Sequence, residues 1–523
     1  MAAATQPPGP TTSQDSFVKF RMSESGCGTG GQKKQATISA QPKNHNVNDQ
    51  NGRLGRPRLF STSYPSNSLK FLQALGPPHA SQNGVVPSNG SEANIVLDIL
   101  IVGGGLGGLA TAIALAKSGH KVTVLEQAAQ LSEIGAGIQI PPNSSKLLER
   151  WGVMDIMLEQ AVRPDGISFR RWENGERIGF TDLSETFVEL CGAPYYVAHR
   201  AHLHSALYRR ALELGVTVRL DSRVSSYDPQ APSATLFDGQ TFKADLIVAA
   251  DGVKSIARNL LPSNQVANPN YTGFAVYRAT VDVSKMRKIP EIAWILEKPA
   301  LHVWIGEDRH VMTYTIAAGQ SFNMVLSHRD HRDPSTWQQK TQAEILAEMR
   351  AEFHGWDPQL TKIIELIDTT VKWPLVAGAP LDNWVADSER LVILGDAAHA
   401  MLPYMSQGAA MAVEDGAALA VAVNNISSRE QLGRALGAFQ NERKMRTSMM
   451  QEASLVNALL LHFKDGPEQR ARDAAMRPEV EGRKFSSSPN QWSDPLTQWW
   501  AYGYDAESRM LEQWRRETGA LWY

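Results

Sequence analysis

A glycine-rich turn between an apolar strand and an Ala/Leu-rich helix constrains the fold of this chain more than any other feature. Gly103, Gly105 and Gly108 follow the spacing G-x-G-x-x-G inside a strand–helix–strand pattern over 96–126. Gly103 permits the tight turn, Gly105 lets the backbone approach a pyrophosphate, and Gly108 lets the helix pack close to the strand. The helix N-terminus offers free N–H groups to phosphates. The pattern therefore predicts a dinucleotide site.

An acidic residue, Glu126, ends the second strand of this unit, eighteen positions after Gly108. A carboxylate at about this spacing reaches the ribose hydroxyls of a bound dinucleotide. An acid rather than a base at this position disfavours a phosphorylated ribose. We therefore expect FAD or NAD here rather than NADP, and the turn alone does not separate FAD from NAD.

Two further apolar strands each deliver an acid into a turn. Asp251-Gly252 follows the strand predicted over 245–250, in the run D-G-x-x-S-x-x-R. Gly395-Asp396 follows a strand predicted over 391–394 and precedes a helix predicted over 409–425. Hairpin-like pairs of strands lie between these motifs, which indicates a second, β-rich layer.

Three such elements in this order resemble the flavoprotein aromatic-ring hydroxylases, which are single-component FAD-dependent monooxygenases, and most of all the fungal salicylate-hydroxylase-like enzymes. His199-Arg200 and Leu203 resemble the family's H-R-x-D-L segment, with His202 in place of its acid. The resemblance covers roughly residues 96–515. It implies an α/β fold: a Rossmann-type FAD-binding domain, an inserted mixed β-sheet substrate domain and a helical C-terminal region.

The resemblance also implies roles for single residues. Arg200 is expected to contact the flavin, and Asp396 to accept a hydrogen bond from a ribityl hydroxyl. Gly408 and Ala409 would present N–H groups to the pyrimidine end of the flavin, where they stabilise negative charge. Gly137 would let the backbone pass close to the ring. The expected cofactor-binding residues are Gly103, Gly105, Gly108, Glu126, Gly137, Arg200, Asp251, Asp396, Gly408 and Ala409.

The reaction class follows from the resemblance and from the missing second nucleotide fold. Downstream of the first turn no further G-x-G-x-x-G occurs, so NADPH or NADH is expected to dock transiently rather than in its own domain. The resemblance implies hydroxylation of a phenolic or aromatic-acid substrate with O₂ through a flavin C4a-hydroperoxide, in fungal secondary metabolism or aromatic catabolism. A flavin dehydrogenase or oxidase and a non-enzymatic flavoprotein stay open as alternatives.

Three residues are candidates for catalysis, and each also has a structural explanation. Arg278 would pair with a substrate carboxylate, or it is a surface residue. Tyr314, on the second strand of a predicted hairpin, would shape the site, or it is core packing. His399 would assist deprotonation of a phenol, or it bonds to backbone. No His/Cys cluster has the spacing of metal ligands, so no metal is expected.

The chain divides into seven predicted segments. Residues 1–94 are rich in Ser, Gly, Pro, Asn and Gln and are expected to be disordered. The expected FAD-binding segments are 95–165, 196–262 and 386–440, the substrate-domain segments are 166–195 and 263–385, and the helical C-terminal region is 441–523. Its tryptophans predict a cap or a dimer surface, and its run DGPEQRARD at 465–473 resembles the tail of the fungal enzymes without suggesting a chemical role.

Composition and charge exclude several classes. The net charge is −2, which gives no reason to expect a nucleic-acid partner. Two cysteines do not make a disulfide framework. The apolar run 95–116 is explained by a strand, a glycine turn and a helix, so no transmembrane segment is expected. We expect a cytoplasmic protein that acts on a small aromatic molecule and O₂, with mitochondrial import as the weaker alternative and a homodimer left open.

Overall fold

The computed structural model describes residues 93–131, 136–262 and 268–519, all within a compact unit that spans 65–523. The predicted disordered extension, 1–94, lies almost wholly outside the described residues. The strands, in chain order, are β1 (Asp98–Val102), β2 (Lys121–Leu125), β3 (Gly137–Ile140), β4 (Gly166–Arg171), β5 (Arg177–Asp182), β6 (Tyr196–His199), β7 (Thr217–Arg219), β8 (Val224–Asp228), β9 (Ser233–Leu236), β10 (Thr241–Lys243), β11 (Leu246–Ala249), β12 (Asn270–Asp282), β13 (Leu301–Gly306), β14 (Arg309–Ile316), β15 (Ser321–Arg329), β16 (Val371–Ala377) and β17 (Leu391–Ile393).

The α-helices of the described residues alternate with these strands and dominate the last third of the chain. In chain order they are α1 (Leu106–Lys117), α2 (Pro142–Arg150), α3 (Met154–Met157), α4 (Glu185–Cys191), α5 (Arg200–Glu213), α6 (Val283–Met286), α7 (Pro290–Ala293), α8 (Gln342–Glu352), α9 (Pro358–Glu365), α10 (Asp396–His399), α11 (Gly408–Asn424), α12 (Leu432–Leu461), α13 (Pro467–Val480), α14 (Pro495–Tyr502) and α15 (Ala506–Thr518). In the part of the chain that the structure describes, no helix combines the length and apolar character needed to cross a membrane.

A five-stranded parallel sheet forms the first layer, in the order β17-β11-β1-β2-β7. Its central strands are buried on both faces, which explains why β11, and β1 after its exposed first residue Asp98, are runs of Ile, Leu, Val and Ala. Helices α1 and α11 pack against each other and against this sheet. The strand–helix–strand unit that the glycine turn predicts is confirmed, with ends within two residues of those expected.

A seven-stranded mixed sheet forms the second layer, in the order β16-β12-β15-β14-β13-β4-β5. Neighbouring strands are antiparallel except β13 and β4, which are parallel. One face of this sheet packs against α8 and α9, and α12 together with the C-terminal segments packs against the other. The predicted architecture of a parallel layer, a mixed layer and a helical C-terminal region is confirmed, and the seven segment boundaries stay predictions.

Gly108 makes a testable contribution to this fold. A Cβ at this position would overlap the carbonyl oxygen of Gly103, which is fixed backbone. Gly108→Ala is therefore expected to destabilise the apoprotein by about 1–3 kcal/mol, the usual cost of overpacking. The control is Gly437→Ala on α12, where a Cβ meets nothing within 4 Å and should add up to ~1 kcal/mol of stability. Urea unfolding measures both; equal stabilities would contradict this packing.

Candidate active site

The turn between β1 and α1 is built to meet a ligand with its backbone. Gly103 has a φ of +108°, and a Cβ there would overlap the carbonyl oxygen of Ala250. Gly105 precedes the first residue of α1, and a Cβ there would meet nothing within 4 Å. The first turn of α1 has neither an acidic residue nor a side-chain cap, so its N–H groups are free for phosphate oxygens.

Glu126 lies at the other side of this turn. Its Oε2 accepts a hydrogen bond from the N–H of Gly104 at 2.7 Å, and its Oε1 accepts one from the N–H of Ala128 at 2.8 Å. A cavity of about 400 Å³ begins here and is lined by Gly103, Glu126 and Asp251, among others. The carboxylate is therefore oriented by backbone donors toward the place where a ribose would lie.

Asp251 brings an unsatisfied acceptor into the same cavity. Its Oδ2 accepts hydrogen bonds from the hydroxyl of Tyr227 at 3.0 Å and from the N–H of Ile256 at 3.2 Å. Its Oδ1 is buried and has no hydrogen-bond partner among the described residues. Burying such an oxygen without a donor is costly. A dinucleotide with hydroxyl groups fits this site, because it supplies the missing donor.

A second cavity of about 400 Å³ continues from the first, with which it shares Gly105, Ala250 and Gly252. It runs between the parallel sheet and the mixed sheet, toward the C-terminal region. Nine of the ten predicted cofactor residues line one cavity or the other, and the tenth, Gly108, packs directly beneath the turn. The predicted residues in the second cavity are Gly105, Gly137, Arg200, Asp396, Gly408 and Ala409.

The N-terminus of α11 points a second set of backbone donors at this cavity. Gln407 occupies the N-cap position without a side-chain cap hydrogen bond; its side chain instead accepts a 2.8 Å hydrogen bond from Asn143. Gly408 and Ala409 line the cavity at the helix start. The first turn of the helix contains no acidic residue. A carboxylate there would repel a negatively charged ligand.

Sequence reasoning missed the ion network that holds α11 in place. Glu414 and Asp415 are fully buried in this helix and pair with Arg443 and Arg446 of α12. Asp415 also accepts a 3.0 Å hydrogen bond from the N–H of Gly395, next to the predicted ribityl ligand. Two adjacent acids within the apolar run AAMAVEDGAALAVAV were the available signal, because buried carboxylates need cationic partners.

His399 belongs to this network. Its Nε2 lies 2.6 Å from Oδ2 of Asp415, and its ring packs against Trp384 with centroids 5.5 Å apart. His399 is buried, and among the described residues it is not one of those that line the cavity. This geometry favours the structural explanation, with Asp415 rather than backbone as its partner. Its catalytic role stays a prediction without support from geometry.

The mixed sheet supplies the opposite wall of the cavity, which includes the other two candidates. Arg278 on β12 and Tyr314 on β14 both line it. Tyr314 packs against Gly137, where a Cβ would overlap its ring. Burial raises the pKa of Tyr314, and this effect exceeds the opposing effects of Arg278 and Gln139, which lower it. The phenol therefore stays protonated at neutral pH. The structure thus brings Arg278, Tyr314 and Gly137 together.

Further cavity residues escaped sequence reasoning. His310 and Met312 lie on β14, four and two positions before Tyr314, and alternate residues of a strand share a face. Assigning Tyr314 to the site would have implied them. Trp492, one of the C-terminal tryptophans for which the sequence predicts a cap or a dimer surface, is buried and lines the cavity.

The comparisons with known proteins agree with this geometry. Residues 96–454 match the family described as FAD binding domain. The chain is 36% identical over 412 residues to FAD-dependent monooxygenase OpS4 of Beauveria bassiana, an alignment that covers 78% of this chain and 95% of that protein. It is 32% identical over 414 residues to 3-hydroxybenzoate 6-hydroxylase of Polaromonas naphthalenivorans, covering 78% and 96%.

The fold has a counterpart among solved structures. A salicylate hydroxylase in a substrate complex matches with a TM-score of 0.65 at 24% identity, over 80% of this chain and 98% of that one. The fold and the cofactor cradle define a flavoprotein of the aromatic-hydroxylase type. The chain belongs to the FAD-binding monooxygenase family, FAD is its cofactor, and the predicted resemblance is confirmed.

The ribose acid can be tested by substitution. Glu126→Ala removes the acceptor for the ribose hydroxyls and frees the N–H of Gly104, so FAD binding should weaken by about 1–3 kcal/mol. Quenching of flavin fluorescence on binding measures this. Asp238→Ala, on an exposed turn between β9 and β10, serves as the control. Flavin affinity equal to wild type would remove Glu126 from the site.

The network beneath α11 predicts a pH-dependent stability. Burial raises the pKa of Asp415, but His399 and Arg443 outweigh burial and hold it at about 2, below the ordinary 3.8. Its contribution is therefore complete above pH ~4 and is lost as the pH falls toward 2. Asp415→Asn should lower the free energy of unfolding by about 3–5 kcal/mol at pH 7.

The pH dependence of the stability difference between wild type and Asp415→Asn tests the role of this charge. The stability gap between wild type and Asp415→Asn should narrow as the pH is lowered from 4 toward 2, because the wild-type carboxylate then takes up its proton. Glu213→Gln, in an exposed pair with Arg209, should leave urea unfolding unchanged. A gap that stays constant across this pH range would contradict the role of the Asp415 charge.

Proposed function

We propose that this monooxygenase hydroxylates an aromatic ring that carries a phenolic hydroxyl and a carboxylate, with NADH or NADPH as transient reductant and O₂ as co-substrate. When bound, FAD would supply the transfer of electrons from the reductant and the activation of O₂. The protein binds and orients the ring and excludes water. A cytoplasmic location and a homodimer remain part of this proposal.

One observation carries the choice of an anionic substrate. Arg278 lines the cavity and is only partly exposed. No ion pair joins its guanidinium to a carboxylate among the described residues, in contrast to Arg443 and Arg446. Burial lowers the pKa of Arg278, Tyr314 opposes the shift, and Arg200 adds to it. A partly buried arginine in this position is stabilised by an anion that arrives with the substrate.

The remaining wall fits a flat ring. Val276, Met312 and Val325 supply apolar contacts around Arg278, and Tyr314 presents a protonated hydroxyl. The name of the 3-hydroxybenzoate relative supports a substrate with both a phenol and a carboxylate. An uncharged phenol would leave the guanidinium without a partner, and so we favour the acid.

Arg278→Met tests the proposal. Methionine keeps the apolar stem of the side chain but loses the charge. KM for a hydroxybenzoate should therefore rise roughly tenfold to a hundredfold, which corresponds to the ~1.5–3 kcal/mol that hydrogen bonds to a charged group contribute. Arg278→Lys should recover part of the loss. Flavin content and turnover of an uncharged phenol should not change.

Product analysis completes this test. Wild-type holoenzyme with NADH or NADPH and a hydroxybenzoate should yield a hydroxylated product. An unchanged KM in Arg278→Met would refute the anion pairing, and hydrogen peroxide as the sole product with every phenolic acid would refute the hydroxylation itself.

A further inference from the structure

A pair of buried histidines joins the substrate wall of the cavity to the C-terminal region. His310 on β14 lines the cavity, and His462 follows the last residue of α12. Nδ1 of His310 lies 2.7 Å from Nε2 of His462, and the two rings stack with centroids 5.0 Å apart. Because Nδ1 of His310 is occupied, Nε2 is the ring nitrogen left for a ligand in the cavity.

Both imidazoles are neutral at pH 7. Burial lowers the pKa of His310 to about 3. Burial also takes the pKa of His462 well below 6.5, and His310, Arg329 and Arg472 act in the same direction. Tyr404 lies edge-on to both rings. Its hydroxyl is neutral, since burial raises its pKa. One of the two histidines must therefore donate and the other accept.

The surroundings of His462 decide which ring is the donor. Its Nδ1 is buried and has no hydrogen-bond partner among the described residues. Nδ1 therefore lacks a partner in either tautomer, and protonation on Nε2 is favoured because an orphaned buried N–H is rarer in proteins than an orphaned buried acceptor. His462 then donates to Nδ1 of His310, and the single proton of His310 lies on Nε2.

We propose that His462 is a positioning residue that holds His310 in the Nε2–H tautomer, so that His310 meets the substrate as a hydrogen-bond donor. This inference rests on the proposed function and deepens it: the cavity takes the phenol as its phenolate. The phenolate oxygen accepts a hydrogen bond from His310 while the carboxylate pairs with Arg278. The phenolic proton is released to solvent on binding, because neither nitrogen of His310 is free to take it.

The run at 465–473, to which sequence reasoning assigned no role, anchors His462. Nη1 of Arg472 donates to the carbonyl oxygen of Leu460 at 2.6 Å, in the last turn of α12. Asp465 accepts hydrogen bonds from Arg171 at 2.7 Å and from Trp172 at 3.1 Å, at the end of β4. These bonds fix the chain on both sides of His462 to the helix and the mixed sheet.

The experiment measures the pKa of a phenol bound to the oxidised holoenzyme. The probe is 3-hydroxybenzoate without reductant, and ultraviolet absorbance distinguishes phenolate from phenol. Wild type should bind the phenolate at a pH where the free probe is protonated. His462→Leu removes the donor to His310, so the preference for phenolate should fall about tenfold, which is one pKa unit, and KM should rise to a similar degree.

Two variants sharpen the comparison. His462→Gln keeps an N–H donor near the position of Nε2 and should restore most of the wild-type preference. His302→Leu is the matched control: His302 is also a buried histidine of the mixed sheet whose pKa burial lowers to about 3, and it is not among the described residues that line the cavity. It should leave the bound phenol unchanged.

An equal pKa of the bound phenol in wild type and a flavin-loaded His462→Leu would overturn the proposal. Nitrogen-15 NMR spectra of wild-type holoenzyme that show His310 protonated on Nδ1 would do the same. The NMR measurement needs no substrate and no variant, so it decides the tautomer even if His462→Leu does not fold. Failure to hydroxylate any phenol would reject the proposed function and leave the tautomer result standing.

Discussion

The carboxylate of Asp415 is the point at which the parts of this site are joined. It accepts a hydrogen bond from the N–H of Gly395 in the turn after β17, and it contacts His399 and Arg443. Glu414, the neighbour of Asp415 on α11, accepts hydrogen bonds from Arg443 and Arg446, both on α12. The charges are buried and mutually satisfied, so the network specifies one position of α11 rather than adding a large net stability. The helix N-terminus can then face the flavin at a fixed place.

The parallel layer was predictable because four of its five strands, β1, β2, β11 and β17, each lead into a turn that carries a residue of recognised chemistry. Gly103 and Glu126 could be predicted from short-range spacing, since strand, turn and helix follow one another along the chain. The predicted role of Asp396 came from the family resemblance. Arg443, the cationic partner of Asp415, could not be assigned, because it lies on a separate helix 28 residues later. His310 and His462 are separated by 152 residues. Such pairs depend on how the sheets and helices pack against one another, and the hydrophobic periodicity of the sequence carries no information about that packing.

The two walls of the cavity differ in charge. The α11 side offers backbone N–H groups and the exposed Asp396, which suit the polar edge of a flavin. The mixed-sheet side offers Arg278 and a neutral His310 within apolar surroundings, where electrostatic contacts are stronger than in water. One cavity can therefore hold a cofactor by hydrogen bonds and, as we propose, an anionic ring by Arg278. Arg278 and Tyr314, predicted from the sequence, line the cavity, and their roles stay predictions. His310 is among the described residues that line it, whereas His399, the predicted catalytic histidine, is not one of them.

The most direct test of this account follows the oxygen atom. Purified holoenzyme is supplied with NADH or NADPH, a hydroxybenzoate and ¹⁸O₂, and the product is analysed by mass spectrometry. A monooxygenase of this class should place one heavy oxygen atom on the ring of each product molecule, with consumption of the reductant in proportion. Consumption of the reductant with all heavy oxygen recovered as hydrogen peroxide, or an oxygen atom derived from water, would contradict the account.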